Sequence, residues 1–169
     1  MAAEVLGSAF RFVIGSLLGA ELLFPDLRDR VATMDDNTWY SWADYVAATQ
    51  EVAAMLDHQT VVTIGSQIMM AARPLLEAQG FATPTALLSD WRRVMEANIR
   101  GLTPQQQATT LRADATTAVI DYGTELPAAL IEGYLRGAVL AFGRRMQGFS
   151  AHLVQVDGVE RLRCVVQWR

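Results

Sequence analysis

Apolar residues recur with a helical period along the amino-terminal portion of the chain and alternate after Pro104. Phe10, Val13, Leu17 and Leu18 share one face of a first helix. The stretch Ala9 to Phe24 is broken by Arg11, Ser16 and Glu21, so its uncharged run is too short to span a bilayer. A secretory signal would want a positive charge ahead of it, where Glu4 stands. Pro25 starts a short second helix reaching about Val31, and Met34 to Thr38 reads as a polar turn. Ser41 is the expected N-cap of a third helix that opens on Trp39, Tyr40, Trp42 and Tyr45 and ends near Asp57-His58. A fourth helix runs from about Gln59 to Ala78, bent by Pro74 and stopped by Gly80, with Ile64, Ile68, Met69 and Ala72 on one side. Thr83-Pro84 starts a fifth that continues to about Arg100, with Leu87, Leu88, Trp91, Met95 and Ile99 as its apolar face. Its Arg92, Arg93 and Arg100 are expected to face water or a partner.

Thr109 to Ala113 and Thr117 to Tyr122 then read as strands around a turn at Asp114-Ala115. A helix over 127–143 follows, with Thr124 expected to cap it and Pro127 in its first turn, where a missing N–H does no harm. Ala129, Gly133, Gly137 and Ala141 recur every four residues, so one face is nearly flat and a backbone or a flat ligand can approach it closely. Ile131, Leu135, Val139 and Phe142 form the bulky stripe that enters a core. Glycine costs up to ~1 kcal/mol inside a helix, so two on one stripe imply that close approach is wanted. Phe149 to Val156 and Glu160 to Arg169 flank Asp157-Gly158, a hairpin-turn signal. The expected fold class is α+β: five helices, then a strand-strand-helix-strand-strand antiparallel unit. It forms one domain, 1–169, whose helical half covers 1–101 and whose sheet half covers 105–169.

The stretch Tyr122-Gly-Thr124-Glu-Leu126 and the glycine-studded helix after it resemble the heme nitric-oxide/oxygen-binding (H-NOX) domains, and the order of elements extends the resemblance over most of the chain. The family signature is Tyr-x-Ser-x-Arg, whose three side chains hold the heme propionates. Tyr122 matches, Thr124 replaces the serine, and Leu126 stands in place of the arginine; the helix glycines match at Gly133 and Gly137. Leucine offers nothing in place of a bidentate, charged clamp on a carboxylate. The family's iron ligand is a histidine on the helix before the sheet, and the stretch Trp91 to Ile99 has none. The sheet half is also similar to 4-vinyl reductase-type sensory domains and, more distantly, to vesicle-tethering subunits of the same superfold. Those sensory domains often carry cysteines near their final hairpin; here only Cys164 remains, which reads as a small buried hydrophobe.

A length of 169 residues suits one domain, and 51% hydrophobic residues exclude disorder. With only 19% charged residues, some of the surface is expected to be covered, and a homodimer is the expected form. The net charge of −4 and the lack of basic residues among the aromatics argue against nucleic acid. A single cysteine excludes an intrachain disulfide and fits a reducing, cytoplasmic location. His58 and His152 make no recognisable metal cluster with the scattered carboxylates, and no hydrolase, P-loop, dinucleotide or zincin signature occurs. Glu132 and Arg136 read as a helix-surface ion pair. The resemblance therefore implies a non-catalytic sensory or regulatory module without ordinary heme binding. Its partner would be an apolar small molecule in the old heme cleft or, with the cleft filled, a signalling protein. A heme-dependent gas sensor with unusual ligation, and a small enzyme or accessory protein of tetrapyrrole metabolism, are the alternatives.

Overall fold

The computed structural model describes residues 2–18 and 24–169, leaving the side chain of Leu18 outside the description. The helical half contains β1 (Glu4–Leu6), α1 (Gly7–Leu18), α2 (Pro25–Ala32), β2 (Trp39–Ser41), α3 (Trp42–Ala54), α4 (His58–Ala71), α5 (Arg73–Ala78), α6 (Pro84–Ser89), α7 (Trp91–Glu96) and β3 (Ile99–Arg100). The sheet half follows as β4 (Thr109–Ala113), β5 (Thr117–Tyr122), α8 (Ala128–Leu140), β6 (Met146–Val156) and β7 (Val159–Trp168). This is the expected α+β class.

Local chemistry sets most boundaries. The Ser41 hydroxyl accepts from the Asp44 N–H at 3.3 Å to open α3. The Asp57 carboxylate accepts from the Thr60 N–H at 2.9 Å, so this residue starts α4 and the third helix stops earlier than expected, at Ala54. The expected fourth helix breaks at Ala72, because Pro74 has no N–H to give to the preceding turn. The expected fifth breaks at Asp90, whose backbone (φ −117°, ψ 40°) is not helical. Ile99 and Arg100 leave that helix altogether.

They join a small sheet that the pattern did not predict, in the order β2-β1-β3. Val5 pairs with Tyr40 on one side and Ile99 on the other. The Arg100 guanidinium donates to Glu4 at 2.7 Å and lies 4.2 Å from the Trp39 ring centre. Arg100 therefore fastens two strands rather than facing water alone.

The larger sheet is antiparallel throughout, in the order β4-β5-β7-β6. Asp157 and Gly158 both have positive φ (50° and 78°), as a two-residue hairpin turn of the type I′ kind requires. Ile131, Leu135 and Val139 of α8 are fully buried with Ala118, Ile120, Cys164 and Val166 of the sheet. The helical half has its own core around Phe10, Ile14, Trp42, Tyr45 and Val52.

The small face of α8 meets α4 backbone to backbone. A Cβ on Gly133 would lie 2.5 Å from the Val62 carbonyl oxygen, and one on Gly137 would lie 2.5 Å from that of Ser66. Gly65 of α4 returns the approach, and the Ser66 hydroxyl donates to the Gly133 carbonyl at 3.1 Å. Thr124 does not cap this helix. Pro127 holds the N-cap position (φ −55°, ψ 128°), and the first helical residue is Ala128.

Candidate functional site

Between the two cores lies a cleft of about 430 Å³. Ala9, Phe12 and Val13 of α1 form one wall, and Ile68 and Met69 of α4, Ala72 at the break and Leu75 of α5 form another. Trp91, Val94 and Met95 of α7 close a third, with Trp42, Tyr45, Leu126 and Tyr134 completing the lining. Phe12 (45% exposed) and Leu75 (56%) belong both to the lining and to the surface, so the cleft has an apolar mouth. Among the described residues that line it there is no Asp, Glu, Lys, Arg, His or Cys.

Its polar groups are neutral. The hydroxyls of Tyr45 and Tyr134 stand 3.5 Å apart, at the outer limit of a hydrogen bond. Burial pushes the Tyr45 phenol up to about 12, and burial with the Tyr45 neighbour raises Tyr134 well above the ordinary value. Both therefore keep their protons at neutral pH.

Glu125 organises the side of the site next to α8. Its carboxylate accepts from Trp42 Nε1 at 2.7 Å and from Gln106 Nε2 at 3.0 Å. Gln50 Nε2 donates to its backbone oxygen at 2.6 Å. One residue of the Tyr122–Leu126 stretch is thus bonded to α3 and to the loop before β4, holding the Trp42 wall in place. Sequence reading missed Glu125, because its partners Trp42 and Gln106 are remote along the chain; an acidic residue two positions before Pro127 was the one available hint.

The residues singled out from sequence scatter around the cleft rather than into it. Tyr122 is buried at the end of β5; its hydroxyl and the neighbouring Trp91 Nε1 make no hydrogen bond among the described residues. Thr124 is exposed and faces a separate, more open groove of about 650 Å³ that also includes Gln50, His58, Glu125 and Leu153. Leu126 borders both spaces. Gly133 and Gly137 contact α4.

The other candidates lie elsewhere. His58, which lines the outer groove, has its Nε2 3.1 Å from the Glu132 carboxylate, and Arg136 donates to the same carboxylate at 2.7 Å. His152 is exposed on β6. Cys164 is buried in the sheet, where burial pushes its thiol up to about 12. No group of three or more His, Cys, Asp or Glu suited to a metal occurs among the described residues. No helix among them is long and apolar enough to cross a membrane.

No family model matches the chain, and no curated protein matches it. Solved structures do. A variant of the Cs H-NOX protein carrying 4-cyano-L-phenylalanine superimposes with a TM-score of 0.68 at 12% identity, covering 97% of this chain and 96% of that one. A single-residue variant of the T. Tengcongensis H-NOX gives 0.65 at 13% identity, covering 96% and 95%. An oxygen-binding H-NOX domain related to soluble guanylate cyclases gives 0.61 at 14% identity, covering 96% and 94%. Over nearly its whole length, and despite low identity, the chain has the H-NOX fold.

Proposed function

We propose that this domain is a non-catalytic sensory module that takes an uncharged, apolar small molecule into the cleft and does not use heme. One observation carries the reading: the described lining offers only neutral side chains, with neither histidine nor cysteine among them. Heme brings two propionates and an iron. The propionates call for cationic or multiple hydrogen-bond donors, and the iron for a directional axial bond. Leu126 stands where the clamp arginine would be, and Glu125, beside it, would add like charge. Tyr45 and Tyr134 are held as neutral phenols, which are poor iron ligands. The residues present do not fit the group. They do suit an apolar molecule, since burying its surface contributes about 25 cal/mol per Å².

The test adds heme to the purified protein and follows absorbance, alongside mass spectrometry of small molecules that co-purify. The expected result is no sharp Soret band at stoichiometric intensity, and an apolar organic molecule recovered from the protein. A stoichiometric Soret band lost in His58→Ala, His152→Ala or Tyr45→Phe would overturn the reading and favour a heme-dependent gas sensor. Weak absorbance that survives all three substitutions would mark heme as an opportunistic occupant of an apolar space.

A further inference from the structure

The two edges of the large sheet are built on opposite principles. The β4 edge is five residues long, carries a bulge between Thr110 and Arg112, and bears a charged Arg112 paired with Asp114. These are the ordinary devices that keep an edge strand from recruiting another strand. The β6 edge has almost none. It runs for 11 residues with no Asp, Glu, Lys, Arg or Pro, and its bulge is confined to the Met146–Gly148 end. Ser150, Ala151, His152 and Leu153 are all exposed, Leu153 to 58%.

Charge returns immediately beyond the strand, divided by sign. Arg144 and Arg145 precede it, and Asp157 and Glu160 follow it. All four are exposed, and none forms an ion pair among the described residues. A neutral strand with a positive head and a negative tail is complementary to itself when turned end for end.

We propose that β6 is a homodimer interface, pairing antiparallel with β6 of a second copy about a twofold axis at Ala151. That register brings Arg144 and Arg145 of each copy to the end where Asp157 and Glu160 of the other lie, the Met146–Gly148 bulge offsetting Arg145 by about one residue from direct opposition to Asp157. It sets Phe149 opposite Leu153 and Gln147 near Gln155. Phe149 and Leu153 pair across β7 with the buried Val166 and Leu162, so both lie on the helix-covered side of the sheet. Pairing would cover the exposed Leu153 with an aromatic ring and give the free backbone groups of the edge their partners. Residues directly opposite in an antiparallel pair point to the same face, and a twofold axis makes every contact twice. An unrelated strand could also dock on this edge, but the divided charge matches this chain's own β6.

Light scattering and sedimentation over a range of concentrations test this, with variants on exposed positions. The wild-type protein is expected to be a dimer that dissociates on dilution. Ala151→Lys, which brings two ammonium groups together on the axis, should be monomeric with a native circular-dichroism spectrum. Arg145→Asp should weaken association on the order of tenfold, and adding Asp157→Arg to it should restore most of that loss. A wild-type monomer at every concentration would overturn the proposal. So would a dimer indifferent to Ala151→Lys, or a double charge swap no better than Arg145→Asp alone. The swap pair keeps the test decisive should Ala151→Lys fail to fold.

Discussion

Two neighbouring faces of α8 are packed to opposite standards. On the Gly133 and Gly137 face, the α4 backbone comes so near that a single added carbon would fall 2.5 Å from a carbonyl oxygen. Beside it, at Tyr134, the structure leaves a cleft of about 430 Å³. Glycine inside a helix costs up to ~1 kcal/mol, so the tight face was specified at some expense. The open face is bordered by Met95, Leu75 and Leu126, side chains large enough to fill space between them, which they leave unfilled. The α4–α8 contact can therefore act as a stiff frame, while the cleft accepts a guest without disturbing it.

The tight side should break first. Gly137→Leu drives a branched side chain into Ser66 and Met69, and is expected to cost about 3 kcal/mol or more, or to prevent folding, as read by thermal melting. Gly143→Ala is the control: its φ of +71° strains any other residue, but no atom lies within 4 Å of the new carbon, so about 1 kcal/mol is expected. Similar small losses in both would mean the α4–α8 contact tolerates expansion.

Next comes the joint between the two faces. Glu125→Ala leaves Trp42 Nε1 and Gln106 without their acceptor, and should destabilise by about 1–3 kcal/mol. The shift in tryptophan emission from the altered Trp42 environment reads this out directly. Unchanged emission and melting would remove Glu125 from its positioning role.

The smallest effect belongs to the open side. Val94→Phe adds bulk toward the cleft and should change stability by less than about 1 kcal/mol, because the added ring need not displace a neighbour. It should nevertheless reduce recovery of any co-purifying ligand. A loss as large as that of Gly137→Leu would show that the cleft is not free space.

Where one residue type performs a local task, the chain was legible. Ser41 and Thr83 cap helices, Gly80 ends one with φ +93°, and Asp157-Gly158 makes its turn. The small face of α8 was readable because a four-residue period needs no partner to be seen. The misses depend on distant partners. Strands of two or three residues leave no alternation to detect, so β1, β2 and β3 were invisible. Thr124 carries a capping chemistry that goes unused. Gly123 is pressed against the Gln105–Gln106 backbone and Glu125 is bonded to three side chains, so the helix cannot begin until Pro127. The Tyr45–Tyr134 pair joins residues 89 positions apart, a proximity that no local pattern encodes.

The small sheet also has a consequence for the order in which the chain can fold. Glu4 and Val5 find their partners at Arg100 and Ile99, so closing that sheet means closing a loop that spans the whole helical half. Such closure carries an entropy cost growing with the logarithm of loop length, and it must be met before the contacts repay it. During synthesis, which proceeds from the amino terminus, α1 can pack on α2 and α3 as they emerge, but β1 lacks its second partner strand until Ile99 follows. Val5 lines the cleft and β1 leads directly into α1. The core of the helical half can gather early, but the small sheet and the cleft wall that Val5 and Ile99 supply are completed only once the last residues of that half are made.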